Sequence, residues 1–233
     1  YKPSFKIQKN IKKAIDRTSG LILTSKNKPI NAFYHASNGG IMASSGESWQ
    51  MIDYPYFESK FDLISSHKQK IILPFTNKLQ IKRFLQNPKI KFLGDNHYLF
   101  RWEKQISAET INNTLIKNKL LLKKEKISNI RILERGMSGR VTKLEIATAN
   151  NKKPIIFIKD DIRRYLNFLP SNLFVIDKLN DNLWKFNGGG FGHGVGLSQS
   201  GAIDMANLGF NYAEILSHYY SRTEIEKIKA LAK

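Results

Sequence analysis

Residues 188–202, GGGFGHGVGLSQSGA, crowd glycine around one imidazole, His193, with Ser198, Gln199 and Ser200 close behind. Glycine loses more backbone freedom on folding than any other residue, so such a run marks backbone that must turn sharply or approach something closely. Several chemistries use a stretch of this kind. A dinucleotide fingerprint needs G-x-G-x-x-G within a βαβ unit, and no triplet in 188–196 has that spacing. A phosphate loop needs Gly-Lys-Ser/Thr, which is absent. A nucleophile elbow, G-x-S-x-G, is not matched, because Ser198 lies in GLSQSG. A metal site needs several ligands, yet His193 has no partner at i+4, His35, His67, His97 and His218 are scattered, and cysteine is absent. No metal and no cofactor is expected. Two readings stay open. One is a strand ending in bare backbone whose free amides hold an oxyanion, a carboxylate or a sugar hydroxyl, with a helix N-terminus beyond. The other is a close-packed corner in which His193 bonds to backbone.

The elements around these residues can be read from pattern. GLILTSKNKPINAFYHA from Gly20 reads as a hairpin turning at 25–28, and it delivers His35, Ser37, Asn38, Gly39 and Gly40 into a tight turn. Residues 44–66 read as an irregular, aromatic-rich connection, and 67–93 as basic, with helix around 79–85. Residues 100–107 form a strand, and Ser107 then caps a helix with Glu109 in its first turn and Ile111, Leu115 and Ile116 on one face. Two strands flank the turn 136–139, a third covers 154–158, and a short helix covers 160–167. Strands at 173–177 and 183–186 lead into the glycine stretch. Two helices follow, 197–208 closed by Gly209 and 212–220. Meandering strands with separated helices predict an α+β fold of mainly antiparallel strands, with a substrate groove lined by loops. We read residues 1–233 as one domain, with 67–98 as a candidate inserted subdomain.

The net charge is +19 in 233 residues, a field that draws polyanions. The excess is scattered lysine rather than arginine clustered with aromatics, which argues against a nucleic-acid partner. Without cysteine, disulfides, thiolate zinc sites and thiol nucleophiles are excluded. No run reaches the length of a membrane span. The chain opens YKPSFK without a signal peptide, and we expect a leader or anchor to be removed or upstream.

Four blocks together resemble the stage II sporulation protein D family, also called the amidase-enhancer (LytB-like) family. They are NAFYHASNGGIMASSGESW, FRWEKQIS, RGMSGRVTKLEI and GGGFGHGVGLSQSGAIDMANLGFNYAEILSHYY, in order across residues 18–225 but not over 67–93. The resemblance implies an extracytoplasmic protein of bacterial cell-wall remodelling. Its partners would be peptidoglycan glycan strands and, as for amidase enhancers, a cell-wall amidase. Sporulation members are lytic transglycosylases, which form a 1,6-anhydro product without water, so the resemblance implies that the full-length protein binds and cleaves peptide-free glycan strands; the alternative is a non-catalytic glycan-binding enhancer of a cell-wall amidase. The glutamate that serves the sporulation members as acid precedes these blocks, and residues 1–19 contain no Glu. The donor is therefore assigned to no residue here. Glu47 is the candidate acid within the chain, with a hydrogen-bonding role as the alternative. The motif carries over onto His35, Ser37, Gly39, Gly40, Trp49, Ser138, Gly139, Arg140, His193, Gly194, Ser198 and Gln199. Ile41 replaces the family's Thr after the double glycine. Sugar platforms would be Tyr34, Trp49, Trp102 and Phe191, and Asn38 adds a donor, although Trp102 suits a core equally and 138–140 suits a plain turn.

Overall fold

The structure is a computed structural model that describes residues 9–49, 52–63, 73–86, 91–149 and 153–228. Helix α1 (Lys9–Thr18) precedes a hairpin of β1 (Leu21–Ser25) and β2 (Lys28–Pro29), turned by Lys26 and Asn27 at positive φ. Then follow β3 (Tyr34–His35), the helical turn α2 (Ser45–Ser48) and α3 (Lys78–Gln86). Strand β4 (Trp102–Ser107) runs into α4 (Ala108–Lys117). Ser107 caps α4 by accepting from the amide of Thr110, and Ile111 and Leu115 are buried one turn apart. Strands β5 (Ile127–Arg135), β6 (Val141–Thr148) and β7 (Ile155–Ile158) precede α5 (Asp160–Tyr165), β8 (Phe174–Asn180) and β9 (Leu183–Gly188). The chain closes with β10 (Leu197–Ser198), α6 (Gln199–Asn207), α7 (Tyr212–Tyr219) and β11 (Glu224–Lys227).

Helices and antiparallel sheets make this an α+β protein. The sheets run in the orders β4-β9-β8, β5-β6-β7 and β11-β1-β2, with a parallel pair β10-β3. One apolar cluster joins α4 and α5 to the first two sheets through Trp184, Phe186, Leu144, Ile146 and Ile162. A second surrounds α3, whose Ile81, Phe84 and Leu85 pack with Ile41, Leu173 and Val175. A third, with Met42, Ala43, Phe57, Val195, Tyr219 and Tyr220, underlies the glycine stretch. Each fully buried side chain of this size contributes about 1.5–3 kcal/mol.

Two expectations need correcting, and one strand was not foreseen. Tyr34 and His35 do not continue the β1–β2 hairpin. They pair in parallel with Leu197 and Ser198, because the register is set by a partner some 160 residues away. That pairing draws Leu197 and Ser198 out of the expected helix, so α6 begins at Gln199 with Ser198 as its cap. Strand β11 carried no alternating signal and forms by pairing with β1. Within 67–98, residues 67–72 and 87–90 lie outside the described residues.

Candidate functional site

The two glycine clusters cross each other. Ser37 and Phe191 exchange backbone hydrogen bonds at 3.1 and 2.7 Å, Ala43 N–H donates to Gly194 O at 2.8 Å, and Leu197 N–H to Phe33 O at 3.1 Å. Where the backbones touch there is no room for a side chain. A Cβ on Gly39 would lie 2.6 Å from the carbonyl carbon of Gly189, and one on Gly190 would lie 2.7 Å from Ser37 O, with φ +70° and +87°. These glycines allow the close approach of two segments of the one backbone.

The same contacts overturn the expectation of free amides. Those of Gly189, Gly190, Phe191 and Gly192 donate to carbonyls of Leu173, Leu99, Ser37 and Pro170. The amide of Val195 donates to His193 Nδ1 at 3.1 Å. These donors are spent within the protein, mostly on backbone outside the loop.

Beneath the crossing lies Arg140, 1% exposed, which donates to Asn38 O at 2.9 Å and Ile41 O at 3.0 Å. It is delivered by the tight turn between β5 and β6, with Gly139 at φ +80°. Gly194 packs on the guanidinium so closely that any Cβ would collide with it. Burial pushes Arg140 down to about 10, against the attraction of Glu47, so it remains a cation at neutral pH. Glu47 is itself buried. It accepts from the amide of Ser138 at 3.1 Å, from Ser138 Oγ, and from Ser59 Oγ at 2.6 Å. These bonds tie α2 to the Ser138–Arg140 turn.

Above this frame His193 is held at both nitrogens. Nδ1 accepts from Val195 N–H, so the proton sits on Nε2, which donates to Tyr34 O at 3.0 Å. Burial is the main force lowering its pKa to about 4, opposed by the bond to Tyr34 O and helped by the charge of Arg140. His193 is therefore a neutral ring at pH 7. Its centroid lies 4.6 Å from Trp49, 5.2 Å from His35 and 6.5 Å from Phe33. Buried His35 donates from Nδ1 to Val195 O at 3.1 Å, and its Nε2 has no partner among the described residues. Burial, then His193, then Arg140 hold its pKa well below the usual histidine range. Both imidazoles are held as hydrogen-bonded aromatic rings, His35 inside the protein and His193 at its edge.

The predicted residues thus divide in two. His35, Ser37, Asn38, Gly39, Gly40, Ser138, Gly139, Arg140, Gly194 and Ser198 form a buried frame. Tyr34 (63% exposed), Phe191 (38%) and Gln199 face solvent, with Trp49 and His193 half-buried between ring neighbours. Trp102 belongs to the core, its indole N–H donating to Gly190 O at 3.1 Å. A cavity of about 470 Å³ beside β5, lined by Thr76, Lys78, Arg135 and Ile176 among others, touches none of these residues.

A family model described as a domain of unknown function (DUF8618) matches residues 43–196. The chain belongs to this family. It is also 27% identical, over 93% of its length, to the amidase enhancer of Bacillus subtilis, covering 32% of that protein. It is 28% identical to the stage II sporulation protein D of Bacillus amyloliquefaciens, over 94% of its length and 52% of that protein. An uncharacterized protein of Brachyspira hyodysenteriae is 30% identical over 97% of the chain and 51% of its own length. The chain thus spans about a third to a half of the curated relatives it matches, and its resemblance to the sporulation protein D and amidase-enhancer proteins extends over nearly all of it. The DUF8618 match takes in Glu47, Trp49, Arg140 and His193 and stops before α6.

One cluster escaped the sequence reading. Asp62, fully buried, accepts from Asn38 Nδ2 at 2.6 Å, His218 Nε2 at 2.7 Å and Tyr219 O–H at 3.1 Å. It holds the Asn38–Gly40 turn to α7. Its partners lie 24 to 157 residues away, and the isolated histidine in SHYY gave no sign of them. No helix among the described residues is long and apolar enough to cross a membrane.

Proposed function

We propose that the chain is an extracytoplasmic glycan-binding module that presents peptidoglycan to a cell-wall amidase without cutting the glycan itself. The observation that carries this reading is the state of its chemistry-bearing side chains. Lytic cleavage needs a protonated carboxyl at the glycosidic oxygen. Glu47 is buried and its oxygens are occupied by three donors from two serines, so the carboxyl is turned into the protein and not toward a glycosidic oxygen outside it. His193 has both nitrogens bonded to backbone. What faces outward suits binding: Tyr34, Phe191 and the half-buried ring of His193 offer flat surface for sugar faces, and Gln199 offers polar contacts. The net charge of +19 suits anionic wall polymer. The name of the Bacillus subtilis relative, amidase enhancer, supports the role of the partner.

The test uses purified peptidoglycan and peptide-free glycan strands. Wild type is retained, and Tyr34→Ala and His193→Ala are each retained about tenfold less, the loss expected of one buried ring contact. Adding the chain speeds release of stem peptides by a wall amidase. Equal retention of all three proteins overturns the binding surface. Release of 1,6-anhydro ends by wild type but not by Glu47→Gln overturns the non-catalytic reading.

A further inference from the structure

On the other side of the Asp62 cluster, His218 lines a cavity of about 510 Å³. Leu93, Met205, Phe210 and Ala213 supply apolar walls, and Glu214 and Ser217 on α7 supply a polar rim. His218 donates from Nε2 to Asp62 Oδ1 at 2.7 Å, and in that tautomer Nδ1 is an acceptor with no partner among the described residues. At the connection of α6 to α7, Leu208, Phe210 and Tyr212 stay 56, 40 and 50% exposed, a run of large apolar side chains left in water.

Charge separates the segment that carries α6 and α7 from the rest of the chain. The 36 positions between Lys185 and Arg222 contain no Lys or Arg, although at the chain's 38 in 233 about six would fall there. Exposed positions of α1 and α3 carry Lys12, Lys13, Arg17, Lys78 and Arg83. Those of α6 and α7 carry Asn207, Asn211, Glu214 and Ser217, with Asp204 partly exposed. An anionic polymer or an anionic lipid surface would meet carboxylates here and no segment-borne cation.

We propose that this cavity and the apolar connection beside it form a docking surface for a partner protein. The partner inserts a large apolar side chain with its own donor, tryptophan or tyrosine, from a basic segment. The side chain fills the apolar walls, its N–H or O–H meets His218 Nδ1, and flanking cations meet Asp204 and Glu214. The proposal does not depend on glycan binding. The surface is separate from Tyr34 and His193, so loss of one function leaves the other intact.

The test titrates the full chain against labelled peptides carrying one Trp flanked by Lys pairs, followed by fluorescence anisotropy at physiological salt. The Lys-flanked peptide is expected to bind about tenfold tighter than its Glu-flanked and its Ala-for-Trp counterparts. Phe210→Ser weakens it by a similar factor. Ser217→Lys, at an exposed helix position that tolerates lysine, weakens the Lys-flanked peptide and strengthens the Glu-flanked one. Equal binding of both charge versions, or binding indifferent to Phe210→Ser and Ser217→Lys, overturns the proposal. So does wild-type self-association that Phe210→Ser abolishes, which assigns the face to a second copy. Binding to phosphatidylglycerol vesicles lost in Phe210→Ser likewise overturns it, in favour of lipid.

Discussion

His193 lies 4.6 Å from the indole of Trp49, ring centroid to centroid, with both its nitrogens bonded to backbone. A histidine held in this way is a shaped, neutral piece of surface. To act as base it would break the bond from Val195, and to act as acid it would break the bond to Tyr34.

The first prediction concerns pH. His193 titrates near 4 and His35 well below its usual value, whereas both return to about 6.5 when unfolded. Below pH 6.5 the unfolded chain therefore binds more protons than the folded one. Stability from these rings is complete above about pH 6.5 and is lost as pH falls through about 4. Urea melts across this window will show a falling midpoint, and His193→Asn will flatten part of the slope. An unchanged slope in that variant refutes the assignment. Glycan retention stays level from neutral pH down to about 5.5, because the ring remains uncharged.

The second concerns Arg140. Lysine keeps the charge but cannot reach Asn38 O and Ile41 O with one planar fork. Arg140→Lys is expected to cost about 2–4 kcal/mol by denaturant titration, since buried carbonyls are left unpaired. A loss below about 0.5 kcal/mol, the scale of a surface change, would remove Arg140 from the frame.

Two glycines at positive φ should respond differently. Gly209, at φ +91° with nothing near a Cβ, meets only backbone strain, and Gly209→Ala costs about 1 kcal/mol. Gly194, at φ +83°, adds collision with Arg140, so Gly194→Ala should cost roughly 3 kcal/mol or more, or fail to fold. Equal thermal shifts in the two variants would contradict the packing described here.

Glu47→Gln is isosteric but presents an amide N–H₂ where two donors now converge on an oxygen. It should lower stability by about 1–3 kcal/mol while folded protein keeps its retention on glycan. Selective loss of binding without loss of stability would move Glu47 from the frame to the surface that meets the ligand.

Much of this was legible in the chain. The cap at Ser107, the apolar pair Ile111 and Leu115, the turn before Arg140 and the stop at Gly209 each rest on residues within a few positions, so local preference decides them. The glycine stretch announced close approach, but not to what. Sequence alone allowed a ligand-binding loop or a packed corner. The fold takes the corner for the backbone and leaves Tyr34 and Phe191 exposed beside it, with Trp49 and His193 half-buried between them and the core.

The amino-acid sequence by itself determined the α+β class, the positions of most helices and strands, and the family resemblance, because periodicity, caps and motif blocks are short-range properties. Tertiary structure alone decided which polar groups are spent. The parallel pairing of Tyr34–His35 with Leu197–Ser198, the burial of Arg140 under Gly194, the seating of Glu47 on Ser138 and the union of Asp62 with His218 all join residues about 55 to 165 positions apart. Burial and hydrogen-bond satisfaction are properties of the assembled core, and they hold His193 by both nitrogens and turn Glu47 inward, two engagements that no local pattern in the sequence announces.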